Sequence, residues 1–392
     1  MPDWIERPFG ELAGVLRRGT APTYVDVSPV RVIGQRCIRN EGFDASEARP
    51  HDPRVLAVVS PQAGDVLVNS TGTGTIGRSC VFREKHGEFV VDGHVTLVRP
   101  ADSEADGRFL NELVRSPDGQ RFLESHCFTG STNQIELSCT QLAEMPVVVP
   151  PLEEQRRIAE ILDTIDETIQ ATESVIAKLE RVRSGLAHSL FGAIEAPSAR
   201  LRDVASLTSG STPSRSRDDY WNGSIPWVKT GEVRGNVIDG TEELITDRAL
   251  SECPLDVYRV GTVLVAMYGQ GTTRGRVAML GVPATTNQAC AAITSAPEVL
   301  DESYLFEFLK YSYDALRSLS HGSHQENLST RLVGDFELPV PPLAEQTQVV
   351  TVLDSASARL TAEKADLEKL RRARAGLADD LLSGRVQAAV DA

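Results

Sequence analysis

VPPLEEQRRIAEILDTIDETIQATESVIAKLERVRSGLAHSL, residues 149–190, returns later in the chain as VPPLAEQTQVVTVLDSASARLTAEKADLEKLRRARAGLADDL, residues 340–381. The two stretches align without a gap at an offset of 191 residues. Both open on the motif P-P-L-x-E-Q, in which Gln155 corresponds to Gln346. The chain therefore contains an internal repeat, and this repeat decides how the rest of the sequence divides.

Each copy of this stretch predicts one long helix. Apolar residues recur at alternating intervals of four and three, the pattern of a coiled-coil seam, for about five heptads. Proline presets the first turn, and the glutamates that follow it suit the positive end of the helix dipole. The predicted seam consists of Ile158, Leu162, Ile165, Ile169, Ile176, Leu179, Leu186, Leu190, Val349, Leu353, Leu360, Leu367, Leu370, Leu377 and Leu381.

The simplest interpretation is that the two helices pack on each other in an antiparallel coiled coil. Roughly forty residues give a rod of about 55–60 Å. We expect Leu179 and Leu370 to be paired in register by the repeat. The alternative is one helix in each of two ordinary helical bundles.

The repeat extends upstream of each helix into β-rich sequence. GDVLVNSTGTGTIGRSCVF, residues 64–82, corresponds to GTVLVAMYGQGTTRGRVAML, residues 261–280. Short Val/Ile/Leu runs separated by glycine-rich turns are typical of strands. We predict an α+β fold with β-rich domains at residues 1–150 and 200–341, each followed by a long helix, at residues 151–192 and 342–384.

One stretch raises the question of nucleotide chemistry. NSTGTGTIGRSC, residues 69–80, contains G-x-x-x-x-G-R-S, with Arg78 where a phosphate-binding P-loop has lysine. A P-loop also needs a helix that begins at this lysine, whereas the sequence after Ser79 is typical of a strand. The second copy of the stretch loses the spacing and has no lysine. We predict a structural hairpin, and a nucleotide-binding enzyme that uses the 72–79 loop is the less favoured alternative.

Composition excludes several other classes of protein. The 392 residues carry a net charge of −15, which argues against coating DNA by bulk electrostatics. The sequence has no secretory signal and no apolar run long enough to span a membrane. The six scattered cysteines indicate reduced thiols in a cytoplasm, and no ligand spacing predicts a metal site. No catalytic fingerprint was found.

The doubled P-P-L-x-E-Q helix, the G-x-V-L-V run before a Gly/Thr hairpin and the Thr286-Asn287-Gln288-Ala289 stretch resemble the specificity subunit of type I restriction–modification systems. SGSTPSR (residues 209–215) and IPWVKTGEV (residues 225–233) resemble the openings of that family's domains. The first domain departs more, because GTAPTY (residues 19–24) and DGHVTL (residues 92–97) are weak counterparts.

The resemblance implies a non-catalytic subunit with two target recognition domains, which read the halves of a bipartite double-stranded DNA target. It implies two methyltransferase subunits docked on the helices, and restriction subunits joined through the complex. S-adenosylmethionine, ATP and magnesium are expected only on those partners, with no cofactor on this chain. A scaffold protein with repeated β-rich binding domains is the alternative.

The rod is expected to set the separation of the two half-sites. An insertion of about four residues in the joint at residues 192–201 is predicted to move the second domain by up to roughly 6 Å. That distance is close to two base pairs of about 3.4 Å each, so the unspecified spacer of the target should lengthen by about one or two base pairs.

Base contacts are expected from arginine and lysine, which pair with guanine, and from amide side chains, which pair with adenine. For each such residue in a polar loop, a solvated surface charge is the alternative. In the first domain the candidates are Arg36, Arg39, Arg78, Arg83, Lys85 and Gln134; in the second they are Arg215, Arg217, Lys229, Arg234, Arg274, Arg276 and Gln325. Tyr220, Trp221 and Trp227 are expected to pack in the core.

Overall fold

The structure, a computed structural model, describes residues 4–84, 87–130, 135–269, 271–319 and 327–388. It forms two compact units. The first unit comprises Met1–Val175 with Lys364–Ala392, and the second comprises Ile176–Glu363. Each unit thus contains one β-rich domain and a part of each long helix, so the units divide the chain differently from the domains drawn on the sequence. None of the described helices has the length and hydropathy to cross a membrane.

The described residues of the β-rich domain of the first unit form thirteen strands and three α-helices, and the first long helix follows them. The strands are β1 (Ile5–Pro8), β2 (Ala13–Arg18), β3 (Val30–Ile33), β4 (Ile38–Arg39), β5 (Gly42–Phe43), β6 (Arg49–Pro50), β7 (Val66–Asn69), β8 (Ser79–Val81), β9 (Glu88–Val91), β10 (Val95–Pro100), β11 (Phe128–Thr129), β12 (Glu136–Leu137) and β13 (Pro146–Val149). The helices are α1 (Gly107–Arg115), α2 (Pro117–Phe122), α3 (Cys139–Ala143) and the long α4 (Leu152–Gly192).

A four-stranded antiparallel sheet in the order β2-β10-β7-β8 organises the first unit. Its central strand β7 is buried along its whole length, as its apolar run predicts. Helix α1 begins where the Asp106 side chain accepts a hydrogen bond from the Arg108 amide. Phe9 and Phe109 of the domain pack in one core with Leu162 of α4 and Leu381 near the chain's end.

The second unit repeats this plan, and the part of it that the structure describes has ten strands and five short α-helices before the second long helix. The strands are β14 (Ser198–Arg200), β15 (Ala205–Ser209), β16 (Trp221–Val228), β17 (Val237–Ile238), β18 (Glu243–Ile245), β19 (Val263–Ala266), β20 (Val277–Leu280), β21 (Thr285–Thr286), β22 (Cys290–Ser295) and β23 (Glu337–Pro339). The helices are α5 (Leu201–Val204), α6 (Asp247–Glu252), α7 (Glu302–Tyr311), α8 (Tyr313–Ser318), α9 (Thr330–Gly334) and the long α10 (Leu343–Leu382).

The main sheet of the second unit has five strands in the order β15-β22-β19-β20-β17. Helix α7 begins where the Asp301 side chain accepts a hydrogen bond from the Tyr304 amide. Tyr304 then packs in one core with Phe191 of α4 and Leu353 of α10. The mixed sheets and long helices confirm the predicted α+β fold class.

The segments of α4 and α10 run antiparallel within the first unit. Arg374 of α10 binds Asp166 of α4 at 2.9 Å, and Arg371 binds Glu173 at 2.7 Å. Residue numbers rise along one helix as they fall along the other, which is the predicted antiparallel packing. Leu179 belongs to the second unit and Leu370 to the first, so their expected pairing stays a prediction.

The predicted seam positions are all buried or half-buried, and none of the fifteen is exposed. Ile158, Leu162 and Leu381 lie in the core of the first unit. Val349 and Leu353 lie in that of the second, with Leu186 and Leu190 packed against it. The seam residues therefore pack against the β-rich domains as well as along the helices.

The glutamine of each P-P-L-x-E-Q motif fastens a long helix to its own domain. Gln155 is 1% exposed, and its amide accepts from the Asp106 backbone and donates to Glu104 and Pro150 at 3.0–3.1 Å. Gln346 is fully buried and makes the same three bonds, to Asp301, Val299 and Pro341, at 2.8–2.9 Å. The repeated motif is thus explained by a buried amide that satisfies three backbone groups.

Candidate nucleic-acid interface

In the first unit, several polar loops emerge at one end of the strands of the main sheet. We call this the first hairpin edge and define it as residues 18–24, 34–37, 69–79 and 92–94. Hydrogen bonds to backbone carbonyls join these loops. The Ser70 amide donates to the His94 carbonyl at 2.9 Å, and the Asn69 side chain donates to the Gln35 carbonyl at 3.3 Å. The edge gathers segments far apart in sequence because antiparallel strands bring alternate connections to the same side.

Polar side chains line the first hairpin edge. Thr71 bonds both the Gln35 amide and the ring of His94, the latter at 3.0 Å. The Tyr24 hydroxyl donates to Asp92 at 3.2 Å, and burial, reinforced by this carboxylate, raises the Tyr24 pKa. The buried side-chain oxygen of Asn69 has no hydrogen-bond partner in the described part of the chain. The edge is therefore rich in hydrogen-bonding groups and poor in free cations.

The 69–80 stretch is a β-hairpin loop, as the sequence predicts. Gly72, Gly74 and Gly77 have φ angles of 99°, 79° and 81°, which are left-handed values that other residues rarely adopt. Strand β8 resumes at Ser79, so the loop opens no helix whose amides could cradle a phosphate. The structural hairpin is confirmed, and the P-loop alternative loses its geometric basis.

The second unit has an equivalent edge. The second hairpin edge comprises residues 210–217, 229–236, 267–269, 271–276 and 286–289. Backbone bonds join Ser211 to Thr286 at 2.9 Å and Gly235 to Val277 at 2.7 Å. Side chains join Thr212 to Gln288 at 2.5 Å and Thr230 to Asn287 at 3.1 Å. The Thr-Asn-Gln stretch thus ties three loops of this edge together.

The candidates of the first domain are dispersed. Arg78 lies on the first hairpin edge, and no ion pair reaches it from the described residues. Arg36, whose side chain is 86% exposed, lies 3.8 Å from Glu47, and Arg39 binds the same carboxylate at 3.1 Å. Arg83 follows the far end of β8 and binds Asp163 of α4 at 2.5 Å, so it is separated from the hairpin edge. Lys85 and Gln134 lie outside the described residues.

The candidates of the second domain are brought together more closely. Arg215 and Lys229 share the carboxylate of Glu243, at 2.7 and 3.2 Å, and Lys229 also binds Glu242 at 2.8 Å. Arg217 binds Asp219 at 2.7 Å.

Three of the remaining candidates of the second domain lie on two loops of the same edge. Arg234 donates to the Gly231 carbonyl at 2.5 Å, and Arg276 donates to Thr272 at 2.8 Å. Arg274 lies in the same loop as Arg276, and Gln325 lies outside the described residues.

These ion pairs set the electrostatics of the second hairpin edge. The hydrogen bond that Glu243 accepts from Arg215 lowers the pKa of Glu243. The hydrogen bond that Lys229 donates to Glu242 raises the pKa of Lys229. The carboxylates are therefore ionised at neutral pH and compete with any phosphate for the same cations. Because the pairs are exposed to solvent, each contributes little to stability, so a strong anionic ligand can displace them.

The aromatic residues pack, as expected. Tyr220 and Trp227 are buried in a small cluster, and Trp221 is half-buried against it. The Arg215 guanidinium lies 3.9 Å from the centre of a Trp221 ring, which fixes the direction of this cation. Packing of the aromatics therefore positions Arg215 at the second hairpin edge.

Neither metal ligation nor a reactive thiol is indicated. The described residues contain no group of three or more histidine, cysteine or acidic side chains arranged to hold an ion. All six cysteines are free, and burial raises the pKa of Cys80 to about 12 and that of Cys127 to about 11. Such thiols carry almost no thiolate at neutral pH.

A family model described as the type I restriction modification DNA specificity domain matches residues 58–181 and 196–372. The chain belongs to this family. The putative type I restriction enzyme MjaX specificity subunit of Methanocaldococcus jannaschii is 22% identical across 98% of this chain and 94% of its own length. The EcoR124I/EcoR124II specificity subunit of Escherichia coli is 26% identical over 39% of each chain.

Solved structures agree with the specificity-domain fold. A type I restriction–modification system S subunit from M. genitalium has a TM-score of 0.61 at 16% identity, covering 97% of this chain and 96% of its own. A chain from a structural study of complex assembly and conformational transition of the type I R-M system has a TM-score of 0.64 at 16% identity, covering 97% and 98%. At this identity the likeness concerns the fold alone.

An ion pair that the sequence did not predict recurs in both units of this specificity-domain chain. Arg374 of α10 binds Glu112 of α1 at 2.8 Å in the first unit, and Arg183 of α4 binds Glu307 of α7 at 2.5 Å in the second. The signal was present, because arginine interrupts the apolar seam at the same position of both copies. Each domain is therefore tied to the helix that follows the other domain in sequence.

Proposed function

We propose that this chain is the DNA specificity subunit of a type I restriction–modification complex, and that each hairpin edge reads one half of a bipartite target. The observation that carries the proposal is the repetition of the edge. In both units, polar loops that connect strands of the main sheet lie together on one side of it. Two such edges in one chain correspond to the two subunits of a dimeric DNA-binding protein.

The chain recognises DNA as part of a complex, without catalysis of its own. The match to the DNA specificity domain family supports this proposal. We propose two methyltransferase subunits docked on the long helices, with restriction subunits joining through them. S-adenosylmethionine, ATP and magnesium then belong to those partners, and cytoplasmic DNA is the substrate.

Charge supports the need for partners. The chain carries a net charge of −15, and most of its candidate cations are already paired with carboxylates. Binding to DNA gains most of its sequence-independent affinity from unpaired cations that neutralise phosphates. We infer that the partners supply much of the phosphate contact while the hairpin edges supply base contacts.

Reconstitution with a type I methyltransferase subunit tests this function. The complex should methylate adenine in a bipartite motif that can be mapped by sequencing. Arg78→Ala should relax one half of the motif and Arg276→Ala the other, each by about 1–3 kcal/mol of discrimination.

The control is Arg331→Ala, which changes an exposed arginine of α9 away from the edges. A methylation motif that neither edge variant alters would contradict the assignment of the hairpin edges. Nucleotide binding by the isolated chain that is lost in Gly77→Val would instead revive the enzyme alternative.

A further inference from the structure

The outer edge of β20 in the second unit is paired with another strand of the same chain. The Val277 carbonyl accepts from Gly235 at 2.7 Å, the Met279 amide donates to Asn236 at 3.0 Å, and the Gly281 amide donates to Ile238 at 2.9 Å. Strand β17 thus closes the edge of the sheet in parallel with β20. A covered edge is the usual state, because unpaired strand edges invite other chains.

The corresponding edge of β8 in the first unit is open. Strand β8 pairs with β7 through Cys80 and Leu67, so alternation directs the backbone groups of Ser79 and Val81 away from β7. Within the described ranges, nothing bonds those outward groups. Strand β5 occupies the sequence position of β17 but pairs with β4 instead.

Two long side chains bind the β4–β5 turn, and Phe43 of β5 packs edge-to-face on Phe82 with ring centres 5.1 Å apart. Arg115 of α1 donates to the Asn40 carbonyl at 3.3 Å, and Gln170 of α4 donates to the Glu41 carbonyl at 3.1 Å. A cavity of about 490 Å³ remains between the turn, β8 and the helices. We call this cavity the β8 slot; it is lined by residues 40–43 and 79–84 and by residues of α1, α4 and α10 of the first unit.

Buried polar atoms in the β8 slot have no partner. Asn111 of α1 is 5% exposed and Ser79 is 2% exposed, and both line the slot. The Asn111 side-chain oxygen and the Ser79 hydroxyl each have no hydrogen-bond partner within the described structure. A buried polar group without a partner costs free energy, so these atoms indicate a hydrogen-bonding occupant.

The charge of the slot specifies the chemistry of this occupant. Its arginines are neutralised by carboxylates of the same unit; they are Arg83, Arg108, Arg115, Arg371 and Arg374. Three further lining carboxylates, Glu41, Glu84 and Glu167, form no ion pair with any described residue. The surplus of negative charge disfavours DNA and favours a segment that carries lysine or arginine.

We propose that the β8 slot receives an extended, basic segment of a methyltransferase partner, which adds to β8 as an outer strand. The identity of the partner rests on the proposed function. Main-chain bonds to Ser79 and Val81 supply the pairing, in the mode by which peptides extend an exposed sheet edge. Asn111 and the three unpaired carboxylates then select the side chains of the incoming segment.

Hydrogen–deuterium exchange on the full chain, alone and in the methyltransferase complex, tests the pairing. The outward amides of Ser79 and Val81 should exchange fast in the free chain and slow at least about tenfold in the complex, because they become bonded there, whereas the Phe82 amide already donates to Asp65. Residues 277–281, which are already paired, serve as the internal control and should be protected in both states.

Protection of the Ser79 and Val81 amides in the free chain would show that β5 closes the slot itself, and would overturn the proposal. An active complex in which these two amides exchange as in the free chain would overturn it while leaving the proposed function intact. A chain that binds no methyltransferase subunit at all would overturn both.

Charge reversal tests the selection of a basic segment. Glu41→Lys, Glu84→Lys and Glu167→Lys should each weaken assembly with the methyltransferase, by up to about fivefold per charge at low salt. Glu160→Lys is the matched control, since it makes the same change on an exposed position of α4 outside the slot. Equal weakening by the control variant, or no weakening by the slot variants, would overturn the assignment of the occupant.

Discussion

Single buried side chains tie the long helices to the β-rich domains. Gln155 and Gln346 each satisfy three backbone groups, and Arg374 and Arg183 each bind a glutamate on a domain helix. Such residues are expensive to remove, because the groups left behind stay buried without partners. The repetition of both devices shows that the two units are assembled by the same contacts.

The first prediction concerns Gln346. Gln346→Leu removes one acceptor and two donors and leaves Asp301, Val299 and Pro341 with unsatisfied backbone groups. We expect the free energy of unfolding to fall by about 2–4 kcal/mol. Chemical denaturation measures the change, and Gln348→Leu, two residues along the same helix at an exposed position, is the control. Equal stability of the two variants would mean that the buried amide contributes nothing.

At the scale of elements, the joint between α4 and the second domain is short, and other contacts also connect the domain with the helix. Strand β14 pairs with β23, and the Val340 amide donates to the Pro197 carbonyl at 3.0 Å. Phe191, at the end of α4, packs against Phe308 with ring centres 5.3 Å apart. The second domain is therefore fixed to both helix segments of its unit by packing, independently of the residues that join them.

The second prediction follows from this anchoring and revises the expectation drawn from sequence. About four residues inserted after Ile194 should loop out, because β14 and Phe191 hold the domain in place. The methylated site should keep both half-sequences and an unchanged spacer. Sequencing of methylated DNA from the variant complex measures this, and a spacer longer by one or two base pairs would show that the joint sets the distance after all.

Over the whole molecule, each of the two units contains a core of its own. The first core joins domain residues to Leu162 and Leu381, and the second joins them to Phe191 and Leu353. Since each unit is stabilised by its own packing, a change inside one domain is expected to leave the other hairpin edge intact.

The third prediction is an exchange of domains. Replacement of residues 198–340, from the first residue of β14 to the end of the loop after β23, by the equivalent domain of another family member should change one half of the methylated motif only. The boundaries keep the β14–β23 pair within the exchanged piece. Mapping of methylated sites tests it, with an exchange of residues 4–149 expected to change the other half. Changes in both halves after one exchange would show that the domains do not read independently.

The sequence alone determined the repeat, the two long helices, their antiparallel packing and the hairpin at residues 69–80. These features depend on local periodicity and turn chemistry, which are legible in a short window. The environment of the residues that are expected to touch DNA depends instead on partners that are distant in the sequence. Arg83, for example, is bound by Asp163, which is eighty residues away.

Only the tertiary structure decided which cations are paired, which strand edge is open and which residues join a domain to a helix. Strands β5 and β17 each lie two strands before the first strand of the hairpin of their unit, yet β17 pairs with β20 while β5 pairs with β4. Periodicity likewise equates Leu179 with Leu370, whereas the structure assigns them to different units. A pattern in sequence fixes the type of an element, but long-range contacts fix its neighbours, and it is the neighbours that determine charge, burial and free hydrogen-bonding groups.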